Sequence, residues 1–121
     1  MLTLLVDDDP FFIAITRRYL HLGGYTVETA SDVASAGQRL KDGGVGTVIV
    51  SSTLRDANRF WEQNQRYYPD VAFLLATATP PQDKRLYLTM PLSLERVLGA
   101  MQQAEGYRRE QGEHLDCQAV R

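Results

Sequence analysis

An apolar run that ends in three consecutive aspartates opens this sequence. The run, Leu2–Val6, has the length of a buried strand, and Asp9 followed by Pro10 has the pattern of a helix N-cap and first helical residue. Asp7 and Asp8 are therefore predicted at the carboxyl end of a strand, where open α/β sheets place their binding crevice. Crowded carboxylates repel one another, so such a cluster is typical of a site for a cation or a phosphoryl group.

The rest of the chain alternates short β-prone runs with amphipathic segments. This alternation predicts an α/β fold, with a parallel sheet covered by helices on both faces. In the first helix, the apolar stripe is predicted at Phe12, Ile15, Tyr19 and Leu22, and Ser31 is the expected N-cap of the second. The remaining strands are predicted at 25–29, 45–50, 71–76 and 86–89, and the other helices at 56–67 and from 91 or 92 onward.

Composition limits the classes of protein to which the chain can belong. The 121 residues are 44% hydrophobic and 23% charged, and the net charge of −2 gives no electrostatic reason to bind nucleic acid or an anionic membrane. The apolar runs are too short to span a bilayer, and Cys117 stands alone in a polar tail, so we expect a cytoplasmic protein. Residues 1–105 are predicted as one domain, and 106–121 as a helix extension, tail or linker to a further domain.

Several strings in order resemble the CheY-like receiver domain of bacterial response regulators, over residues 1–105. LTLLVDDDP resembles the first strand and acidic pair of that family, which implies that Asp7 and Asp8 are metal-binding carboxylates. FLLATA resembles the fourth strand and makes Thr77 the hydroxyl that senses a phosphoryl group, while YLTMPLS resembles the fifth strand and places Tyr87 at the switch aromatic. The resemblance implies a doubly wound, flavodoxin-like sheet of five parallel strands in the order 2-1-3-4-5.

Two positions depart from the family pattern. In VIVSSTLRDANRFW, Ser51 stands where the family carries its phosphorylated aspartate, with Ser52 as the second choice, and Met90 replaces the family lysine. An acyl phosphate requires a carboxylate, whereas serine forms only a stable phosphomonoester. Losing both members of a buried ion pair can be nearly neutral, while losing one costs about 3–5 kcal/mol. The resemblance is therefore to a degenerate receiver, or pseudo-receiver. Its pocket has lost one acidic and one basic residue together, so the net charge of the pocket is unchanged.

The segment after the fourth predicted strand is short. Nine residues separate Thr77 from Tyr87, and Pro80 and Pro81 lie among them, so the fourth helix of the family is expected to be missing or replaced by a short loop. Strands four and five would then expose apolar side chains as an interface for a homodimer or a partner. Alternatively, the loop or the third helix covers them. The candidate interface residues are Phe73, Leu75, Leu86 and Leu88.

The leading functional hypothesis is a phosphorylation-independent receiver domain that is not an enzyme and acts as a protein–protein interaction or dimerisation module. It would need no cofactor and would bind Mg²⁺ weakly or not at all at Asp7 and Asp8. One alternative is a receiver that is still phosphorylated at an unconventional acceptor, Ser51 or Asp56. Another is a sensor that binds a small cationic ligand in the acidic crevice.

Overall fold

The fold was described from a computed structural model, which covers residues 2–79, 81, 86–89 and 92–120, with side chains through residue 110. The covered residues form five strands and four helices that alternate, except that no helix is seen between the last two strands. In chain order the elements are β1 Leu2–Val6, α1 Pro10–Leu22, β2 Thr26–Ala30, α2 Val33–Lys41, β3 Val45–Ser51, α3 Ala57–Tyr67, β4 Ala72–Thr77, β5 Leu86–Thr89 and α4 Leu94–Val120.

The five strands form one parallel sheet in the order β2-β1-β3-β4-β5, which confirms the predicted α/β fold and strand order. The central strand β3 is buried along its whole length, as expected for a run rich in β-branched residues. The strands β2 and β5 form the two edges, and β2 is largely exposed. Among the helices described here, none combines the length and the apolar composition that crossing a bilayer requires.

Local interactions explain where the helices begin. The Asp9 carboxylate accepts a hydrogen bond from the backbone N–H of Phe11 at 2.9 Å, and Pro10 begins α1, as predicted. The N-cap of α2 is Asp32, whose carboxylate accepts from the Ser35 N–H at 2.7 Å, so the prediction of Ser31 was wrong by one residue. Both residue types cap helices well, and the sequence alone did not separate two neighbouring candidates.

Alternating side chains of the sheet build a core on each face. One core lies under α2 and α3 and includes Val48, Val50 and Phe60. The other lies under α1 and α4 and includes Ile49 and Met101. Because successive strand residues point to opposite faces, β1, β3 and β4 contribute to both cores, and both layers of helices pack on the same sheet.

The candidate interface on strands four and five is not an exposed patch. Phe73 and Leu75 are only 3% and 6% exposed, since they face α3, where the Phe60 ring meets the Phe73 ring edge-on at 6.2 Å. Leu86 and Leu88 point to the opposite face and pack in the α1–α4 core. The alternative that α3 covers β4 is therefore the one observed, and the prediction of an exposed apolar cluster from these four residues was wrong.

The last helix extends beyond residue 105, the predicted end of the domain. It begins at Leu94, two residues or more after the predicted start, and continues through Val120. Its buried residues end with Ala104. At 27 residues and about 1.5 Å per residue, α4 measures roughly 40 Å, so its carboxyl-terminal part continues the helix beyond the last core contact.

Candidate functional site

The predicted pocket residues lie where three neighbouring strands end. Asp7 follows β1, Ser51 ends β3 and Thr77 ends β4, and the strands are paired in parallel through Val6 with Val50 and Ser51 with Ala76. The carboxyl ends of adjacent parallel strands meet at one edge of the sheet, so these three residues lie at the same edge, which we call the acidic crevice. Met90, predicted to replace the family lysine, lies outside the described residues.

Asp7 is the buried acid of the crevice. It is only 3% exposed, and its Oδ1 accepts hydrogen bonds from the backbone N–H groups of Asp8 at 2.8 Å and Asp9 at 3.4 Å. Burial raises the pKa of the Asp7 carboxyl above its usual value and outweighs the two backbone hydrogen bonds, which lower it. The neighbouring Asp8 also raises this pKa, whereas the Asp8 side chain itself is exposed.

Ser51 occupies the end of the central strand. Its side chain is 6% exposed, and its Oγ lies 2.9 Å from the Thr53 Oγ1 and accepts a second hydrogen bond from the Thr53 N–H at 3.4 Å. Ser52, the second choice for this position, lies beyond the strand, and its N–H donates to the Ala76 carbonyl at 2.8 Å. The hydroxyl that ends β3 is thus bonded into the loop that follows it.

Thr77 is bonded in a similar way. Its hydroxyl donates to the Thr79 carbonyl at 3.1 Å and accepts from the Thr79 N–H at 3.4 Å. This turn is local to the segment after β4, so the Thr77 hydroxyl is satisfied without reaching across the crevice.

Tyr87 lies on β5 opposite Leu75, on the α3 face of the sheet, and 38% of it is exposed. The residue predicted at the switch position is therefore partly turned toward solvent. Together with Thr89 on the same face, Tyr87 marks the part of the sheet that α3 leaves uncovered, at the β5 edge.

Asp56, the alternative phosphoryl acceptor, comes directly before α3. It has a left-handed backbone (φ 64°), and its exposed side chain lines the groove between α2 and α3 with Val33 and Gly37. Among the hydrogen bonds of the described residues, none links Asp56 with Asp7 or Ser51.

The donor set of the crevice is limited. Among the described residues, no group of three or more His, Cys, Asp or Glu side chains is placed to hold a metal ion. The polar groups at this edge of the sheet are the carboxylates of Asp7 and Asp8 and the hydroxyls of Ser51 and Thr77.

An exposed apolar surface on α1 was missed by the sequence analysis. Phe11, Ile15 and Leu22 are 78%, 44% and 65% exposed, whereas the buried residues of the helix are Phe12, Thr16 and Leu20. The prediction that Ile15 and Leu22 belong to the buried stripe was wrong. The helix carries apolar residues on more than one side, so the spacing of its apolar residues is compatible with two different buried faces. The small polar Thr16 packs inward on the face that is buried.

No family model matches this sequence, and no curated protein is significantly similar to it. Solved structures are similar in fold. The chemotaxis response regulator CheY4 of Vibrio cholerae has a TM-score of 0.76 at 22% identity, covering 85% of this chain and 97% of that one. The signal receiver domain of an HD domain-containing protein from Pseudomonas fluorescens Pf-5 has a TM-score of 0.78 at 23% identity, covering 95% and 91%.

The beryllofluoride-activated NtrC4 receiver domain dimer is also similar, with a TM-score of 0.76 at 22% identity, covering 88% of this chain and 98% of that one. The chain has the receiver-domain fold. In this fold, Asp7 and Asp8 lie at the carboxyl edge of the sheet, and the central strand ends with the hydroxyl of Ser51.

Proposed function

We propose that this chain is a phosphorylation-independent receiver domain, or pseudo-receiver, of a bacterial regulatory protein in the cytoplasm. It acts by contact with a protein partner or an output domain and is not an enzyme. The observation that carries this proposal is Ser51, a buried hydroxyl at the end of β3 that is bonded to Thr53.

The chemistry of the crevice supports this reading. A labile acyl phosphate forms on a carboxylate oxygen, and Ser51 has none. A phosphoserine there would be a stable ester, and its formation would first break the bond between the Ser51 and Thr53 hydroxyls. The Thr77 hydroxyl is likewise held by Thr79. The two hydroxyls nearest the expected phosphoryl position thus already have protein partners.

The same residues are a poor set for Mg²⁺, which prefers octahedral oxygen coordination with carboxylates and water. The Asp7 Oδ1 is occupied by two backbone N–H groups, and Ser51 offers a neutral oxygen instead of a third carboxylate. We infer that Mg²⁺ binding is weak or lost and that the domain works without a cofactor.

Two surfaces support a contact role. The edge strand β5 has one side unpaired within the sheet, and Tyr87 is exposed beside it, which suits a homodimer formed around strands 4 and 5. The apolar stripe of Phe11, Ile15 and Leu22 on α1 suits a protein partner, since exposed apolar clusters are usually interaction sites. The beryllofluoride-activated NtrC4 receiver domain, which is similar in fold, is a dimer.

The deciding experiment is a titration of the ¹⁵N-labelled protein with beryllofluoride and Mg²⁺. We expect no saturable change in the amide signals of residues 7–9, 51–53 and 77, because β3 ends in Ser51 and offers no carboxylate for the adduct. Acetyl phosphate labelling with mass-spectrometric mapping runs alongside. A stable label on Ser51 or a labile label on Asp56 would establish the alternative, a receiver with an unconventional acceptor.

A thermal-shift comparison with small organic cations addresses the remaining alternative, a ligand sensor in the acidic crevice. The control is the Asp8→Asn variant, which removes the exposed carboxylate. If a cation stabilises the protein and this effect disappears in the variant, the crevice is a ligand site and the contact-only proposal fails.

A further inference from the structure

A small polar cavity lies at the opposite end of the sheet from the acidic crevice. Its volume is about 170 Å³, and it opens between the starts of β1 and β3, the turn before β2, and the middle of α4. At about 30 Å³ for each water molecule, it holds roughly five waters or a ligand of similar size. Its lining residues are Thr3, Gly24, Tyr25, Thr26, Thr47, Met101, Glu105 and Arg108.

Two threonines form the sheet wall of this cavity. Thr3 and Thr47 pair in register between β1 and β3, and the two residues are only 1% and 2% exposed. Within the described part of the chain, no hydrogen bond from either side-chain hydroxyl to the protein is found, and neither oxygen is among the fully buried atoms that lack a partner. Both residues line the cavity, so water or a ligand inside it can be the partner of their hydroxyls.

Opposite charges form the α4 wall. Glu105 accepts a hydrogen bond from the Tyr25 hydroxyl at 2.9 Å, and Arg108 is close enough for its charge to lower the pKa of that tyrosine. Burial and the bond to Glu105 together raise the same pKa, and the net direction is upward. The cavity therefore presents one carboxylate, one guanidinium and two hydroxyls, with no net charge.

We propose that this cavity is a binding site for a small zwitterion of the α-amino acid class. The carboxylate of the ligand would face Arg108, its ammonium group would face Glu105, and the Thr3 and Thr47 hydroxyls would complete its hydrogen bonds. A lone anion or a lone cation suits the site less, because it would leave one of the two protein charges uncompensated. The inference is independent of the acidic crevice, since no lining residue belongs to it.

The test is a titration of the ¹⁵N-labelled full chain with glycine, which has five non-hydrogen atoms, and with alanine. We expect saturable shifts at the amides of Gly24, Tyr25 and Glu105 and none at Asp8. Acetate and methylammonium, each with one of the two charges, should produce much weaker changes at equal concentration. Equal shifts with acetate would mean that the cavity is an anion site and would overturn the proposal. The absence of a response to either amino acid would also overturn it and would mean that the cavity holds only water.

Two isosteric variants test the role of the hydroxyls. Thr3→Val and Thr47→Val keep the volume of the side chain but remove its oxygen, and each should raise the Kd for glycine about tenfold, the effect of one lost hydrogen bond. Thr29→Val, on an exposed threonine of β2 outside the cavity, is the control and should leave the Kd unchanged. An unchanged Kd in both cavity variants, with the fold intact by circular dichroism, would contradict the assignment.

Discussion

Gly23, which ends α1, lies against Leu98 of α4 with no room for a side chain. A Cβ at this position would collide with the Leu98 Cδ2 and also approach the Tyr25 ring to 3.2 Å. The Gly23 φ of −82° is open to any residue, so the requirement for glycine here comes from packing and not from the backbone. This contact fixes the distance between α1 and α4 on one face of the sheet.

Replacing this glycine should therefore destabilise the domain. We expect Gly23→Ala to lower the free energy of unfolding by about 1 kcal/mol, because the methyl group forces the end of the half-buried Leu98 side chain to move. The matched control is Gly37→Ala, at a position in α2 with open space around it, which should raise stability by about 0.5–1 kcal/mol. Urea denaturation of both variants measures the two effects. Equal changes would show that α1 and α4 are not closely packed.

Restoring a carboxylate at the end of β3 should restore metal binding at the cost of stability. Without metal, Ser51→Asp should lose about 1–2 kcal/mol, since a third carboxylate would enter the crevice beside Asp7. Added Mg²⁺ should recover most of this loss in the variant and have little effect on the native protein. Ser51→Asn, similar in shape but neutral, should not respond to Mg²⁺. If Mg²⁺ raises the Tm of the native protein as much as that of Ser51→Asp, the proposed loss of the metal site is wrong.

Asp7 should make the folded state less stable at neutral pH. Its pKa is raised in the folded protein, so the favourable contribution of the protonated form is complete at pH below the unfolded value of 3.8 and is lost as pH rises through the folded value. Asp7→Asn keeps the oxygen that accepts from Asp8 and Asp9, and should raise the Tm by about 3 °C at pH 7. The advantage of the variant should shrink as pH falls through the folded pKa. Parallel melting curves at several pH values test this, and a gap that widens toward acid would contradict it.

The homodimer proposed around β5 should depend on Tyr87. We expect Tyr87→Arg to yield a monomer without loss of fold, because a charge would replace an exposed aromatic ring at the proposed interface. Tyr67→Arg is the control: this tyrosine is even more exposed, at 82%, but lies at the end of α3. Light scattering after size exclusion gives the mass of each variant. A native protein that is monomeric at high concentration would rule out this dimer.

Two adjacent phenylalanines of α1 should differ strongly in their response to the same substitution. Phe12 is 5% exposed and Phe11 is 78% exposed. We expect Phe12→Ser to cost about 3–5 kcal/mol, and Phe11→Ser to change stability by less than about 0.5 kcal/mol. Thermal melting of the two variants compares them directly. A large loss in Phe11→Ser would mean that the α1 stripe packs within the domain and is not a surface for a partner.

The fold was predictable because its determinants are local and repeated. Buried strands such as β3 are continuous apolar runs, and the Asp9–Pro10 pair marks the start of α1 through a cap that two residues define. The burial of Phe73 was not predictable, because it depends on how far α3 reaches across the sheet. That is a property of tertiary packing, which no spacing in the chain records.

The places of Asp7, Ser51 and Thr77 in the fold were predictable, since Asp7 follows β1 and the other two residues end β3 and β4. Their hydrogen bonds were not. The choice of the Thr53 hydroxyl as partner for Ser51, and of the Thr79 backbone for Thr77, depends on loop geometry. The cavity between Thr3, Thr47 and α4 was also invisible in the sequence, because its walls come from segments about a hundred residues apart.

The hydrogen-bonded hydroxyls at the ends of β3 and β4 bear on how a cell could control this protein. A receiver with an open acceptor changes state when a phosphoryl group arrives or leaves. In the function proposed for this chain, no covalent mark divides the molecules into active and resting pools. The amount of protein, set by synthesis and degradation, and the supply of its binding partner then become the quantities that carry information.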